Sequence, residues 1–73
     1  MNEGTILGRT RLNAAQRIVL KHAGQYTGGE WSRASGLTKD AATALAGELR
    51  TSNYQVRGII GPEAHGKYEV IFR

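Results

Sequence analysis

Residues 27–49, TGGEWSRASGLTKDAATALAGEL, decide how the chain is read. Thr27 followed by Glu30 is a capping-box pattern: the threonine oxygen accepts a backbone N–H three residues on, and the glutamate reaches back to the threonine N–H. The pattern predicts a helix opening near Gly28. Ser35-Gly36 predicts its end, since serine competes for backbone hydrogen bonds and glycine readily takes a left-handed stop. Thr38 then supplies a second N-cap, with Asp40 in the first turn, where a negative charge suits the positive end of the helix dipole. Ala42, Leu45, Ala46 and Leu49 recur at the spacing of one helical face, which predicts a helix over residues 38–51 with Asn53 as a left-handed cap. The expectation is two short helices about a Gly36-Leu37 turn. Trp31 and Leu37 would pack with Leu45 there, and Ser32 and Ala42 are small enough for the helices to cross closely. An ordinary corner between two helices fits the same spacing.

Length and charge narrow the possibilities. A chain of 73 residues has room for one domain with a small core; chains of this size bury only about 60% of the surface exposed on unfolding. There is no cysteine, which excludes disulfides and thiolate metal sites and fits a reducing compartment. The absence of a long apolar run or a signal-like segment leads to the expectation of a soluble, cytoplasmic protein. Ten Lys and Arg against six Asp and Glu give a formal charge of +4. That balance favours nucleic acid or another polyanion over a membrane, although a modest positive charge also serves solubility.

Residues 1–12 are expected to form a flexible arm or a short strand, with Arg9 and Arg11 able to reach phosphates. Asn13 and Gln16 repeat the capping-box pattern and predict a helix over residues 14–23, stopped at Gly24. Ala15, Ile18, Val19 and His22 fall on one face of it. His22 reads as a packed or edge histidine rather than a metal ligand, because its one histidine companion is His65 and cysteine is absent. From Tyr54 the period changes to that of a strand: Tyr54, Val56, Gly58 and Ile60 alternate with Gln55, Arg57 and Ile59. Residues 61–66 are a polar connection holding Pro62, and KYEVIFR at residues 67–73 reads as a second strand with Tyr68, Val70 and Phe72 on one side. The two make a β-hairpin.

Taken in order, these residues resemble the N-terminal DNA-binding domain of the biotin operon repressor and its relatives, a winged helix-turn-helix family. The likeness rests on the Thr27-Gly28 cap, Trp31-Ser32, the Gly36-Leu37-Thr38 turn, Leu49-Arg50, Tyr54 and Val56, and the Gly66-Lys67-Tyr68 closure, within residues 27–68. It implies an α+β fold, a small winged helix in which three helices are followed by a two-stranded β-hairpin wing, over residues 13–73. It also implies double-stranded DNA as partner, with helix 38–51 in the major groove and wing 57–67 on the backbone or in the minor groove. Two departures stand out. Ser35 and Ser32 occupy positions where leucine and alanine are usual, and the outward face of residues 38–51 carries Asp40, Thr43, Ala44 and Gly47 where sequence-reading relatives carry Arg, Gln or Asn.

The expected DNA-contacting set follows. Thr38, Lys39, Thr43 and Ala44 would face base edges, and Arg33, Arg50, Arg57 and Lys67 would neutralise phosphates, with His65 joining them from the wing. No threonine contact is bidentate, so base readout would be modest. The expected role is a transcriptional regulator or architectural factor, acting as a homodimer or beside a protein partner, because one such module touches too few base pairs for a unique site. Ile59 and Ile71, opposite the core-facing set, together with a free strand edge, are the candidate association surface. The competing expectation is a protein-interaction module, a small inhibitor or adaptor. An enzyme is not expected: no nucleophile and base pair up, and neither cofactor nor metal motif is present. RNA is disfavoured, because the few aromatics are assigned to the core.

Overall fold

The computed structural model describes the backbone of residues 3–73, with the side chains of Arg11 and of residues 13–73. In chain order it contains α1 (Glu3–Lys21), β1 (Gln25–Thr27), β2 (Ser32–Leu37), α2 (Lys39–Thr51), β3 (Val56–Ile60), a 3-10 turn (Ala64–Gly66) and β4 (Tyr68–Phe72). The four strands form one antiparallel sheet in the order β1-β2-β4-β3. Both helices cover the same face. Ala15 and Val19 of α1 and Ala42, Leu45, Ala46 and Leu49 of α2 meet Ala34, Leu37, Val70 and Phe72 from the two central strands, and Tyr54 closes one end.

This architecture replaces the winged helix. The fold is α+β, but it has two helices and a four-stranded sheet where three helices and a two-stranded wing were expected. The error lies in the stretch before Thr38. Residues 32–37 are a strand, and residues 28–31 are the turn that joins it to β1. Gly28, Gly29 and Gly36 each cost a helix about 1 kcal/mol relative to alanine, so one capping pattern does not sustain a helix there. Pairing with β1 on one side and β4 on the other satisfies the same backbone groups. Gly36 does adopt the left-handed conformation, with φ 71°, as part of a bulge in β2 rather than as a helix stop. That bulge lets Ala34 and Leu37, three positions apart, both face the helices.

Elsewhere the expected elements are present with altered surroundings. The Thr38 side chain accepts a 3.1 Å hydrogen bond from the Ala41 N–H, and the buried face of α2 is Ala42, Leu45, Ala46 and Leu49. Asn53 is left-handed, with φ 68°. Helix α1 starts at Glu3, within the stretch expected to be an arm, and not at the Asn13 cap; Met1 and Asn2 lie outside the described residues. The β3–β4 hairpin forms, but β4 also pairs with β2, so the hairpin is half of the sheet and not a projecting wing. A second bulge, at Arg57, reverses the expected alternation. Val56 faces the core side, whereas Gly58 and Ile60 pair with Ile71 and Glu69 of the opposite face, and Ile59 pairs with the core residue Val70.

Beyond the packing of Ala15 and Val19, polar contacts at both ends of its described side chains tie α1 to the rest. Glu48 of α2 takes Lys21 at 3.2 Å and His22 at 2.8 Å. Tyr54, stacked edge-on against Phe72, donates its hydroxyl to the Arg11 carbonyl at 2.6 Å, while the Arg11 guanidinium lies 4.2 Å over the Tyr54 ring. Hydrogen bonding from His22 first, and from Lys21 second, holds the Glu48 carboxyl below the usual carboxylate range. A carboxylate so lowered contributes stability above its unfolded pKa, and that contribution is lost as the pH falls through its folded value. Glu48→Gln is therefore expected to lower stability at neutral pH, with the difference from wild type closing in acid, as read by urea unfolding across a pH series. Phe72→Ala, at the centre of the core, is expected to cost about 3–5 kcal/mol in the same assay.

Candidate functional site

With both helices on one face, the other face of the sheet is left uncovered by any described helix, and its residues follow from the strand register. Thr27, Arg33, Ile71 and Gly58 form one row across all four strands. Gln25 and Ser35 form part of the next row, and Glu69 and Ile60 pair in it on the other two strands. Beyond the first row, Arg73 exchanges backbone hydrogen bonds with Gln55 at 2.8 and 2.9 Å. Trp31, two residues before Arg33, sits at this end of the face, half-buried rather than in the core. Its indole lies under the Arg73 guanidinium at 4.2 Å from the ring centroid, with Arg57 at 5.4 Å. Such cation–π contacts hold the two cations over the ring face.

Trp31, Arg33, Arg57, Gly58, Ile60 and Ile71 together line an open pocket of about 570 Å³. Ile71 is buried although it points away from the helical core, so its cover comes from this face. At the opposite end the charge reverses. Glu69 lies 3.6 Å from Arg33, and Glu63, in the connection before β4, neighbours Glu69. The hydrogen bond between the two acids first, and their like charge second, hold the Glu63 carboxyl above the usual range. The face is thus polarised, with three arginines and an indole at one end and two carboxylates at the other.

The sequence-predicted contact residues are divided between two sides of the molecule. Arg33 and Arg57 are on the open sheet face, at the pocket. Lys67 and His65 are exposed in and just after the tip turn, where His65 is left-handed with φ 59°. Thr38, Lys39, Thr43, Ala44 and Arg50 are exposed on α2. The hydroxyls of two of these are already engaged: Thr38 caps Ala41, and Thr43 donates to the Lys39 carbonyl at 3.0 Å. The expected pairing of Ile59 with Ile71 on one surface is also undone by the Arg57 bulge, which puts Ile60 on the open face and leaves Ile59 at the edge of the other.

Trp31, Gly58, Ile60 and Arg73 are the residues that sequence reasoning missed. The signal was present as a period of two: Trp31, Arg33 and Ser35 alternate with Ser32 and Ala34, which are the buried ones. It is disguised because the inward residues are small and the outward ones large. Compared with models of protein families, with curated proteins and with solved structures, the chain gives no match.

Glu63 carries a testable consequence. A carboxyl whose folded pKa is raised binds its proton more tightly in the folded state, so its charge costs stability at neutral pH, and that cost disappears as the pH falls. Glu63→Gln is expected to raise the melting temperature at pH 7, with the gain vanishing in acid, as read by thermal unfolding at several pH values.

Proposed function

We propose that this protein binds single-stranded nucleic acid on the open face of its sheet, as a binding protein rather than an enzyme. The observation that carries the proposal is the half-buried Trp31 set among Arg33, Arg57 and Arg73 on a face that no described helix covers. Sheets that expose aromatics hold unpaired bases by stacking, each worth about 1–3 kcal/mol, while a basic groove follows the phosphates. The net charge of +4 supports the same partner. Cytoplasmic placement and a regulatory role on nucleic acid belong to this proposal; among the described residues no helix is long and apolar enough to cross a membrane.

Duplex DNA read by α2 has less in its favour. That surface has the hydroxyls of Thr38 and Thr43 each already in one capping or intrahelical hydrogen bond, carries Asp40, and lies in a fold whose β3–β4 hairpin is part of the sheet rather than a wing. The second reading with its own observation is a protein partner, or a second copy of the chain, added as a strand along β3. That strand is an edge of the sheet, and its Ile59 and Ile60 are 42% and 48% exposed.

The test is fluorescence anisotropy of labelled single-stranded DNA and RNA oligomers over a range of salt. Engagement of three phosphates is expected to give a slope of log affinity against log salt near about −2, with about 0.7 removed by Arg57→Ala and none by Lys39→Ala. Duplex of the same length is expected to bind more weakly. A flat salt dependence, or a loss caused by Lys39→Ala and not by Arg57→Ala, contradicts the proposal.

A further inference from the structure

We infer that the pocket beside Trp31 is the seat of one unpaired nucleobase, an inference that rests on the single-strand reading above and makes it specific. Charge alone would need only the arginines. The open face has in addition a site of mixed polar and apolar lining: Trp31, Ile71 and Ile60 supply apolar surface, and Arg33 and Arg57 bring charge to the same pocket. Its volume of about 570 Å³, open to solvent on one side, leaves room for a single heterocycle.

Gly58 shapes that site. It pairs with Ile71 in the row that crosses the pocket, and a Cβ built there would find no heavy atom within 4 Å. A glycine in a strand marks a bulge, as beside Arg57 here, or a place where a ligand or another backbone comes close, and at Gly58 both hold if the pocket is occupied. At Gly58 no neighbouring atom claims the space, and the backbone is not left-handed, so a side chain fits the protein itself and occupies only the pocket. A heterocycle lying over Gly58 would stack against the indole with aliphatic contact from Ile60 and Ile71. The two arginines lining the pocket would then take the phosphates on either side of that nucleotide, since guanidinium groups match phosphate geometry. Arg57, farther from the indole than Arg73, is the cation placed to leave the ring for a phosphate.

The experiment compares wild type with Gly58→Leu for binding to labelled oligothymidylate, following anisotropy and the intrinsic fluorescence of Trp31, with circular dichroism as the check on folding. The leucine is expected to weaken binding about tenfold and to abolish quenching of Trp31, while the salt slope is unchanged because the arginines remain. Unaltered affinity and quenching in Gly58→Leu overturn the base seat but leave phosphate binding on this face intact. No binding of oligothymidylate by the wild type at low salt overturns the single-strand reading itself. A second measurement needs no variant: an oligomer of abasic sites with the same phosphates is expected to bind wild type about tenfold more weakly than oligothymidylate. Equal affinity for the two overturns the inference whatever the fate of the leucine variant.

Discussion

The pairing of β2 with β4 is the constraint on which the rest depends. These two central strands are far apart in sequence, and α2 and β3 are threaded between them. Their register sets Arg33 against Ile71 and Ala34 against Val70, and so fixes which side chains go to each face. One face, with Ala34, Val70 and Phe72, is closed by both helices. The other face takes Arg33 and Ile71, and with them Trp31 and Arg73 at the adjoining strand ends. A slip of one residue would exchange the two sets, placing arginine in the core and alanine outside.

The bulges refine this division. At Gly36 the extra residue returns Leu37 to the core, where it is among the largest fully buried side chains. At Arg57 the extra residue sends Ile60 to the open face and leaves Arg57 itself beside the indole. Bulges occur often where a side chain is re-aimed near a functional surface, and the one at Arg57 borders the row that contains Arg33, Ile71 and Gly58. The polarity of the open face follows from the same register. The basic end gathers Arg33, Arg57 and Arg73, and the Glu69–Arg33 ion pair marks the boundary with the acidic end.

Elements with a regular apolar period of their own were legible in the sequence, and the β1–β2 hairpin, local but without one, was not. Helix α2 carries its own cap, its own apolar face and its own left-handed exit at Asn53, so residues 38–51 could be placed from neighbours alone. The β3–β4 hairpin was likewise visible in its alternation and in the Gly-Pro connection. In residues 25–37, β1 is held by β2 alone, and β2 is also paired with β4, more than thirty positions away in the chain, a partner that no neighbouring residue signals. Within β2 the buried positions are Ser32, Ala34 and Leu37: the first two are small, with Ser32 Oγ satisfied at 3.1 Å by the Tyr26 hydroxyl, and the Gly36 bulge puts the one large apolar residue out of step with them, so the usual alternation of a strand is masked. Misplacing the strand misplaced Trp31, and an indole assigned to the core could not be recognised as part of a surface. Of the candidate site, Arg33 and Arg57 were therefore found as isolated cations, whereas the cavity between them was not.

The joining of the basic residues to an aromatic wall by β2–β4 pairing is a claim about where a polyanion touches the molecule. An NMR titration of the uniformly labelled protein with oligothymidylate reads that directly. Shifts are expected at the Trp31 indole N–H and at the amides of Arg33, Gly58, Ile60 and Ile71, with the exposed amides of α2 unmoved. Shifts confined to residues 38–50, with the Trp31 indole unchanged, would contradict it.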